Sequence, residues 1–210
     1  MKRKIKVHVG CGYNRLDGWI NVDLDVSCKP DMIADLRQNL PFKSRSVDYI
    51  HSEDFVDQLD LERGYIFFNE CHRILKESGA MRVLTPDLHQ LAKRYIQGDK
   101  RLIKLWDEYV GVPLKTRSLC ELFNFGMRLG GHTFLYDDEA LVYVLKECGF
   151  EPQKVGYQFS EESELRGLDI RTPDTGISLY YECHKERKDR KNILPHSISF
   201  LGWLKRILKW

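Results

Sequence analysis

Apolar residues in the first third of the chain come in short runs, Ile5 to Val9, Trp19 to Leu24, Met32 to Ala34 and Val47 to His51, each ended by turn residues. These runs are too short for helices, and their Ile and Val content fits buried strands of a parallel sheet. The period then changes. From Leu61 to Lys76 apolar positions recur at Leu61, Tyr65, Phe68, Cys71/His72 and Leu75, a helical stripe that stops near Ser78-Gly79, and Ala80 to Leu84 returns to a strand. Beyond Pro86, helical patterning around Leu88 to Ile96 and Arg101 to Val110 is broken by Gly98, Gly111, Pro113, Gly126, Gly130 and Gly131. This predicts a helical insertion, about 87–131, where a substrate lid would sit. Asp137 caps a helix whose apolar face is Ala140, Leu141, Val144, Leu145 and Cys148, and Gly149 stops it. Residues 154–159 and 177–183 read as a closing antiparallel pair joined by the polar loop Ser160 to Thr175. Strands alternating with helices predict an α/β fold, a doubly wound, mostly parallel sheet with an antiparallel edge strand.

Composition narrows the classes. With 210 residues, 42% of them hydrophobic, the chain can build one good-sized core rather than two. The expected division is one domain over 1–184 and a tail over 185–210. The tail carries eight Lys or Arg against Glu186 and Asp189, so it is +6 while the body is −4. A nucleic-acid binder would spread positive charge over the folded body, which argues against that partner. Cys11, Cys28, Cys71, Cys120, Cys148 and Cys183 form no C-x-x-C pair and no secretory leader precedes them, so a cytoplasmic location with reduced thiols is expected. No ligand spacing implies a metal.

The sharpest local signal is Val7-His8-Val9-Gly10-Cys11-Gly12, a strand running into two glycines one residue apart. Such a loop admits close approach of a ligand and is expected to offer unpaired N–H groups to an anionic end. A dinucleotide fingerprint would need glycine at position 15, where Arg15 stands, so NAD and FAD are disfavoured. Asp23 closes the next strand, where a carboxylate can accept both hydroxyls of a ribose, and Asp35-Leu36 follows the third.

Taken together, His8-Val9-Gly10-Cys11-Gly12, Gly18-Trp19-Ile20-Asn21-Val22-Asp23, Leu40-Pro41-Phe42, Ser46-Val47-Asp48-Tyr49-Ile50, Glu70-Cys71-His72-Arg73-Ile74-Leu75-Lys76 and Val83-Leu84-Thr85-Pro86-Asp87-Leu88 make the chain resemble the class I S-adenosylmethionine-dependent methyltransferases of Rossmann-like fold. The resemblance is to those found among bacterial surface-polysaccharide genes, and a later block from Gly131-His132 through Gly149-Phe150 extends it. It implies S-adenosylmethionine as cofactor, with Gly10, Cys11 and Gly12 on the methionine moiety, Asp23 on the ribose, Asp35 and Leu36 at the adenine, Val9 and Leu24 beside them, and Ser52 in the pocket floor. It also implies a small or carbohydrate-type acceptor.

One departure bears on the chemistry. Where that family shows Ser-Glu-His and then Glu-His after the fourth strand, this chain has Ser52-Glu53-Asp54 and then Asp57-Gln58, so both histidines are replaced. Asp54 at its strand end and His132 after a glycine pair are the candidate acid-base groups, since an imidazole near pKa 6.5 suits proton transfer. His51 is expected to pack, His72 to be a core histidine, and Tyr13 and Tyr136 either to close over a ligand or to fill the core. The chain lacks the Asn/Asp-Pro-Pro-aromatic run that holds nucleobase amines, so an oxygen acceptor is favoured. Residues 197–210 place Phe200, Leu201, Trp203, Leu204, Ile207, Leu208 and Trp210 on one half of a helical wheel and Lys205, Arg206 and Lys209 on the other. That composition suits a helix lying on the inner membrane surface, which would bring the enzyme to a lipid-linked acceptor, or one docked on its own core or on a second copy in a homodimer. Two further readings stay open: a catalytically silent domain serving a glycan-assembly complex, and a transferase using another nucleoside cofactor.

Overall fold

The computed structural model describes residues 3–128, 131–170 and 176–186. Seven strands form one sheet: β1 (Lys6–Val9), β2 (Ile20–Asp23), β3 (Met32–Ile33), β4 (Val47–Glu53), β5 (Leu75–Pro86), β6 (Phe150–Lys154) and β7 (Ser178–Lys185), in the order 3-2-1-4-5-7-6. Neighbours from β3 through β5 are parallel, and β7 runs antiparallel to both β5 and β6. The expected mostly parallel sheet with antiparallel pairing at one end is therefore the fold observed. The penultimate strand differs in place: it runs Phe150–Lys154 rather than over 154–159. Gly149, at φ +82, turns the chain out of the preceding helix straight into the sheet with Phe150 buried, while Gln158 at φ +58 keeps 156–159 in a turn.

Period-two alternation gives the sheet two faces of opposite character. Val7 stands opposite Ile50, Ile50 opposite Met81, and Met81 opposite Cys183. This apolar row packs under α1 (Leu61–Ile74) and α5 (Asp138–Glu147), through Phe67, Phe68, Cys71 and Ile74 of the first and Leu141, Val144 and Leu145 of the second. Asp60 and Asp137 cap the two helices by accepting the N–H groups of Arg63 and Ala140, each at 2.8 Å.

The other face is polar. Asn21 stands opposite His8, His8 opposite His51, His51 opposite Arg82, Arg82 opposite Glu182, and Glu182 opposite Gln153, one residue from each of six strands. Described residues 10–46 contain no α-helix, so no helix from that stretch covers this row. Segment 156–170 lies over it instead. Leu165 packs on Trp19, Tyr49 and Ala80, and the fully buried Arg82 donates to both oxygens of Asp169 and to the carbonyls of Phe159 and Gly156. Burying a guanidinium requires such a saturated set of acceptors, so Arg82 fixes this strap to the sheet.

The insertion after β5 forms α2 (Leu88–Ile96), α3 (Arg101–Leu105), a π-turn (Trp106–Val110) and α4 (Leu119–Gly126), around a small core of its own made by Leu102, Trp106, Leu114 and Leu122. Among the described residues no helix is long and apolar enough to cross a membrane. Residues 197–210, read above as an amphipathic helix, lie outside the described residues.

Candidate active-site cleft

A cleft of about 870 Å³ opens at the carboxyl ends of β1, β2 and β4. It lies where the strand order reverses between β1 and β4, the position at which open α/β sheets hold ligands. Gly10, at φ +68, turns the chain sharply after β1, and a Cβ there would sit 2.5 Å from the Phe55 ring. Gly12, at φ +48, has nothing within 4 Å of where its Cβ would stand, so the absent side chain leaves open space in the cleft wall. The amides of this loop, expected to be unpaired, are engaged. Gly10 and Cys11 donate to the Val22 carbonyl at 2.9 and 3.2 Å, and Gly12 donates to Asp23 Oδ2 at 2.8 Å. The end of β2 satisfies them because β1 and β2 are parallel neighbours that finish together. A ligand is accommodated here by close approach rather than by donors held in waiting.

Asp23 lines the cleft and accepts a second backbone N–H, that of Asp25, at 2.9 Å on Oδ1. A carboxylate has about four lone-pair positions, so two remain for the hydroxyls of a ribose. Leu24, Leu36 and Cys28 add apolar lining, and exposed Tyr13 stands at the rim with its hydroxyl 2.7 Å from Ser27. Asp35 also lines the cleft, but Arg37 grips it at 2.7 and 2.9 Å and holds its carboxyl well below the usual carboxylate range. The Cys11 thiol is pushed up to about 11 by burial and then by Asp23, so it stays protonated and is no nucleophile. Val9 and Ser52 do not line the cleft: both are fully buried on the apolar side of their strands. Ser52 faces away from the position proposed for it because its neighbours His51 and Glu53 take the cleft side.

The two candidate acid-base residues are placed differently. Asp54, at φ +53, lines the cleft and its N–H donates to the Leu84 carbonyl at 3.1 Å. His132 is not part of the lining. Its Nδ1 lies 2.8 Å from the Gly126 carbonyl and its Nε2 lies 2.9 Å from Asp57 Oδ2. A carbonyl only accepts and a carboxylate prefers a donor, so both ring nitrogens are committed as N–H groups. Burial lowers the His132 pKa, but the Asp57 carboxylate more than offsets it and the net shift is upward. Asp57, fully buried, also receives the Thr85 hydroxyl at 3.1 Å, while its carbonyl takes the N–H groups of Thr133 and Phe134. His132 thus latches the end of the helical insertion to the turn after β4. Asp57 was visible in the sequence only as half of a missing Glu-His pair, and its partner lay 75 residues away.

Beneath the glycine loop, the floor of the cleft is built from His8, His51 and Glu53, flanked by Leu168 and Ile170 of the strap. The two imidazole centroids lie 5.0 Å apart, His51 Nε2 lies 3.5 Å from Glu53 Oε2, and the Ile170 N–H reaches both Glu53 oxygens at 3.3 Å. His51, expected to pack, is both buried and part of this lining. The signal was present in the alternation: His51 and Glu53 share a strand face with each other and, through the register, with His8. Tyr136 belongs to the core, its hydroxyl 2.5 Å from where a Gly64 Cβ would stand.

No model of a known protein family matches the chain, and no curated protein matches it in sequence. Solved structures do match it. A SAM-dependent methyltransferase from Archaeoglobus fulgidus aligns over 88% of this chain and 87% of its own at TM-score 0.53 and 16% identity. An S-adenosylmethionine-dependent methyltransferase from Clostridium acetobutylicum aligns over 88% and 85% at TM-score 0.54 and 13% identity. A third, from Thermotoga maritima and described as a possible histamine N-methyltransferase, aligns over 89% and 84% at 0.51 and 18%. The chain shares the fold of S-adenosylmethionine-dependent methyltransferases.

Proposed function

We propose that this protein is an S-adenosylmethionine-dependent methyltransferase acting on a small acceptor, through oxygen rather than a nucleobase amine. The observation that carries this reading is the junction of the β1 glycine loop with Asp23. A side-chain-free wall at Gly12 lies one hydrogen bond, 2.8 Å, from a carboxylate with acceptor capacity to spare, at the switch point of a sheet with this strand order. Asp23 would receive the ribose, Gly10 to Gly12 would border the methionine moiety, and Leu24, Leu36 and the aliphatic part of Asp35 would border the base. Val9 and Ser52 would support these residues from behind. When bound, S-adenosylmethionine supplies a methyl group on a cationic sulfur, and the chain's part is to hold an acceptor in line with it. Among the described residues the lining carries the carboxylates Asp23, Asp25, Asp35, Glu53 and Asp54 and the guanidinium of Arg37, which is paired with Asp35.

In this reading the acceptor is carbohydrate-like, the body over 1–184 works in the cytoplasm, and the basic 185–210 segment brings it to lipid-linked substrate at the inner membrane surface or joins two copies. Isothermal titration with S-adenosylmethionine and S-adenosylhomocysteine tests the cofactor. Both should bind the wild type, and Asp23→Ala should weaken them by about 10- to 100-fold, the loss of charged hydrogen bonds worth roughly 1.5–3 kcal/mol. Absence of binding by the wild type would leave the fold as a silent scaffold.

A further inference from the structure

We infer that Arg37, acting as a hydrogen-bond donor, and not Asp35 reads the base of the nucleoside, so that the cleft takes a 6-oxopurine such as hypoxanthine at least as readily as adenine. The inference rests on the methyl-transfer reading above and deepens it at one point, the base.

The sheet sets where the base goes. β1, β2 and β3 are successive neighbours, about 4.8 Å apart. Their carboxyl ends lead in turn to the glycine loop, to Asp23 and to the turn Asp35-Leu36-Arg37, all of which line the cleft. The Ala34 N–H donates to the Asp23 carbonyl at 3.1 Å and ties the third of these ends to the second. A nucleoside with its ribose on Asp23 and its 5′ chain at the glycine loop therefore carries its base towards Asp35 and Arg37.

At that end the carboxylate is spent. Asp35 Oδ1 accepts the backbone N–H of Arg37 at 3.1 Å and its Nε–H at 2.7 Å, while Oδ2 accepts Arg37 Nη2 at 2.9 Å and Gln38 Nε2 at 3.0 Å. Four donors fill the four lone-pair positions of a carboxylate, whereas Asp23 takes two backbone N–H groups and keeps two positions open. An adenine amine offers one neutral hydrogen bond in exchange for this bidentate, charge-assisted pair, too little to displace it. Asp25 is no substitute: it follows β2 beside Asp23 and caps the Val26–Cys28 turn by accepting the Ser27 N–H at 2.8 Å.

What the turn does present is donors. A guanidinium has five N–H groups, and Arg37 uses two of them on Asp35. The other three have no partner among the described residues, and the side chain is 46% exposed in the cleft wall. A 6-oxopurine turns two acceptors, O6 and N7, towards such a group, the pairing by which arginine picks out guanine. Adenine puts an amine where O6 would be, donor against donor, and leaves that contact unmade. Solvent reaches this rim and can serve the amine, so the discrimination is small and adenine is still bound. Specificity here is a difference between two affinities, and Arg37 is the residue that sets its sign.

The test is isothermal titration of the full-length chain with S-adenosylhomocysteine and S-inosylhomocysteine, which differ only at the 6-position of the base and its ring proton. We expect the inosyl form to bind within threefold of the adenosyl form or more tightly. Arg37→Met, which frees two positions on Asp35 and removes the donors from an exposed site, should move the ratio at least threefold towards the adenosyl form. An inosyl form bound more than threefold more weakly by the wild type, or a ratio that Arg37→Met leaves in place, overturns the inference while the cofactor reading stands. Binding of neither thioether fells the methyltransferase reading instead. Adenosine and inosine titrated in the same way then decide the base preference by the same threefold limit, and a chain that takes neither overturns the inference as well.

Discussion

The two faces of one sheet are built on opposite principles. Beneath α1 and α5 the strands present Val7, Val9, Ile50, Met81, Val83 and Cys183, all buried and apolar, and the contact is nondirectional packing. On the reverse side the same strands present Asn21, His8, His51, Arg82 and Glu182, equally buried, and the cover is a strap rather than helices. Apolar packing tolerates shape changes of a methyl group or two, but a buried polar row holds together only if nearly every donor and acceptor is matched. The row is matched at its Arg82 end, where Asp169, Phe159 and Gly156 saturate the guanidinium, and at Glu182, which receives the Ser160 hydroxyl. Among the described residues the Nδ1 atoms of His8 and His51, both of which line the cleft, have no hydrogen-bond partner. The apolar face stabilises the fold, and the polar face, anchored at one end and open at the other, is where binding is expected.

Substitutions can break that contrast in order of size. Arg82→Ala should cost about 3–5 kcal/mol in urea unfolding because it leaves Asp169 buried and unpaired, whereas Arg82→Met combined with Asp169→Leu should recover most of the loss. On the other face Phe67→Ala should also cost about 3–5 kcal/mol through its cavity, yet leave cofactor affinity unchanged once the protein is folded. A smaller loss, about 1–3 kcal/mol, is expected for Gly10→Ala, which forces a side chain into φ +68 and against Phe55, and calorimetry should show cofactor binding weakened with it.

Two titrations of opposite sign probe the same contrast through pH. His8 stays neutral in the folded chain down to about pH 3 but gains a proton near 6.5 when unfolded. Stability therefore falls as pH drops from about 6.5 towards 3, and His8→Gln should flatten that decline. The His132 pKa is raised on folding, so its pairing with Asp57 contributes in full below about 6.5 and is lost as pH rises through the raised value. The stability gap between wild type and His132→Gln should accordingly shrink from pH 6 to 9; a gap that widens would contradict the latch.

The sheet was legible because each strand's alternation is local, and so were the glycine loop and Asp23, which depend only on where β1 and β2 end. What lay hidden depends on partners far apart in the chain. The strap's position follows from Arg82 meeting Asp169 across 87 residues, and nothing near either residue announces it. Without that pairing, residues 154–159 resemble a strand and Ser160 to Thr175 a solvent loop. His132 drew attention as a base through the glycine pair that precedes it in sequence, but its role is set by Asp57 on another element. His51 was read as packing because one strand's pattern shows which residues share a face and not whether that face borders an opening. The loop amides were misjudged for a similar reason, since the Val22 carbonyl and the Asp23 carboxylate that satisfy them belong to the neighbouring strand.

A crystal structure of the full-length chain with S-adenosylhomocysteine bears most directly on the assignment of binding to the polar face. The account predicts the ribose hydroxyls on Asp23 and the sulfur turned towards the floor formed by His8, His51 and Glu53. A ligand seated elsewhere, or with its sulfur turned from that floor towards His132, would contradict it.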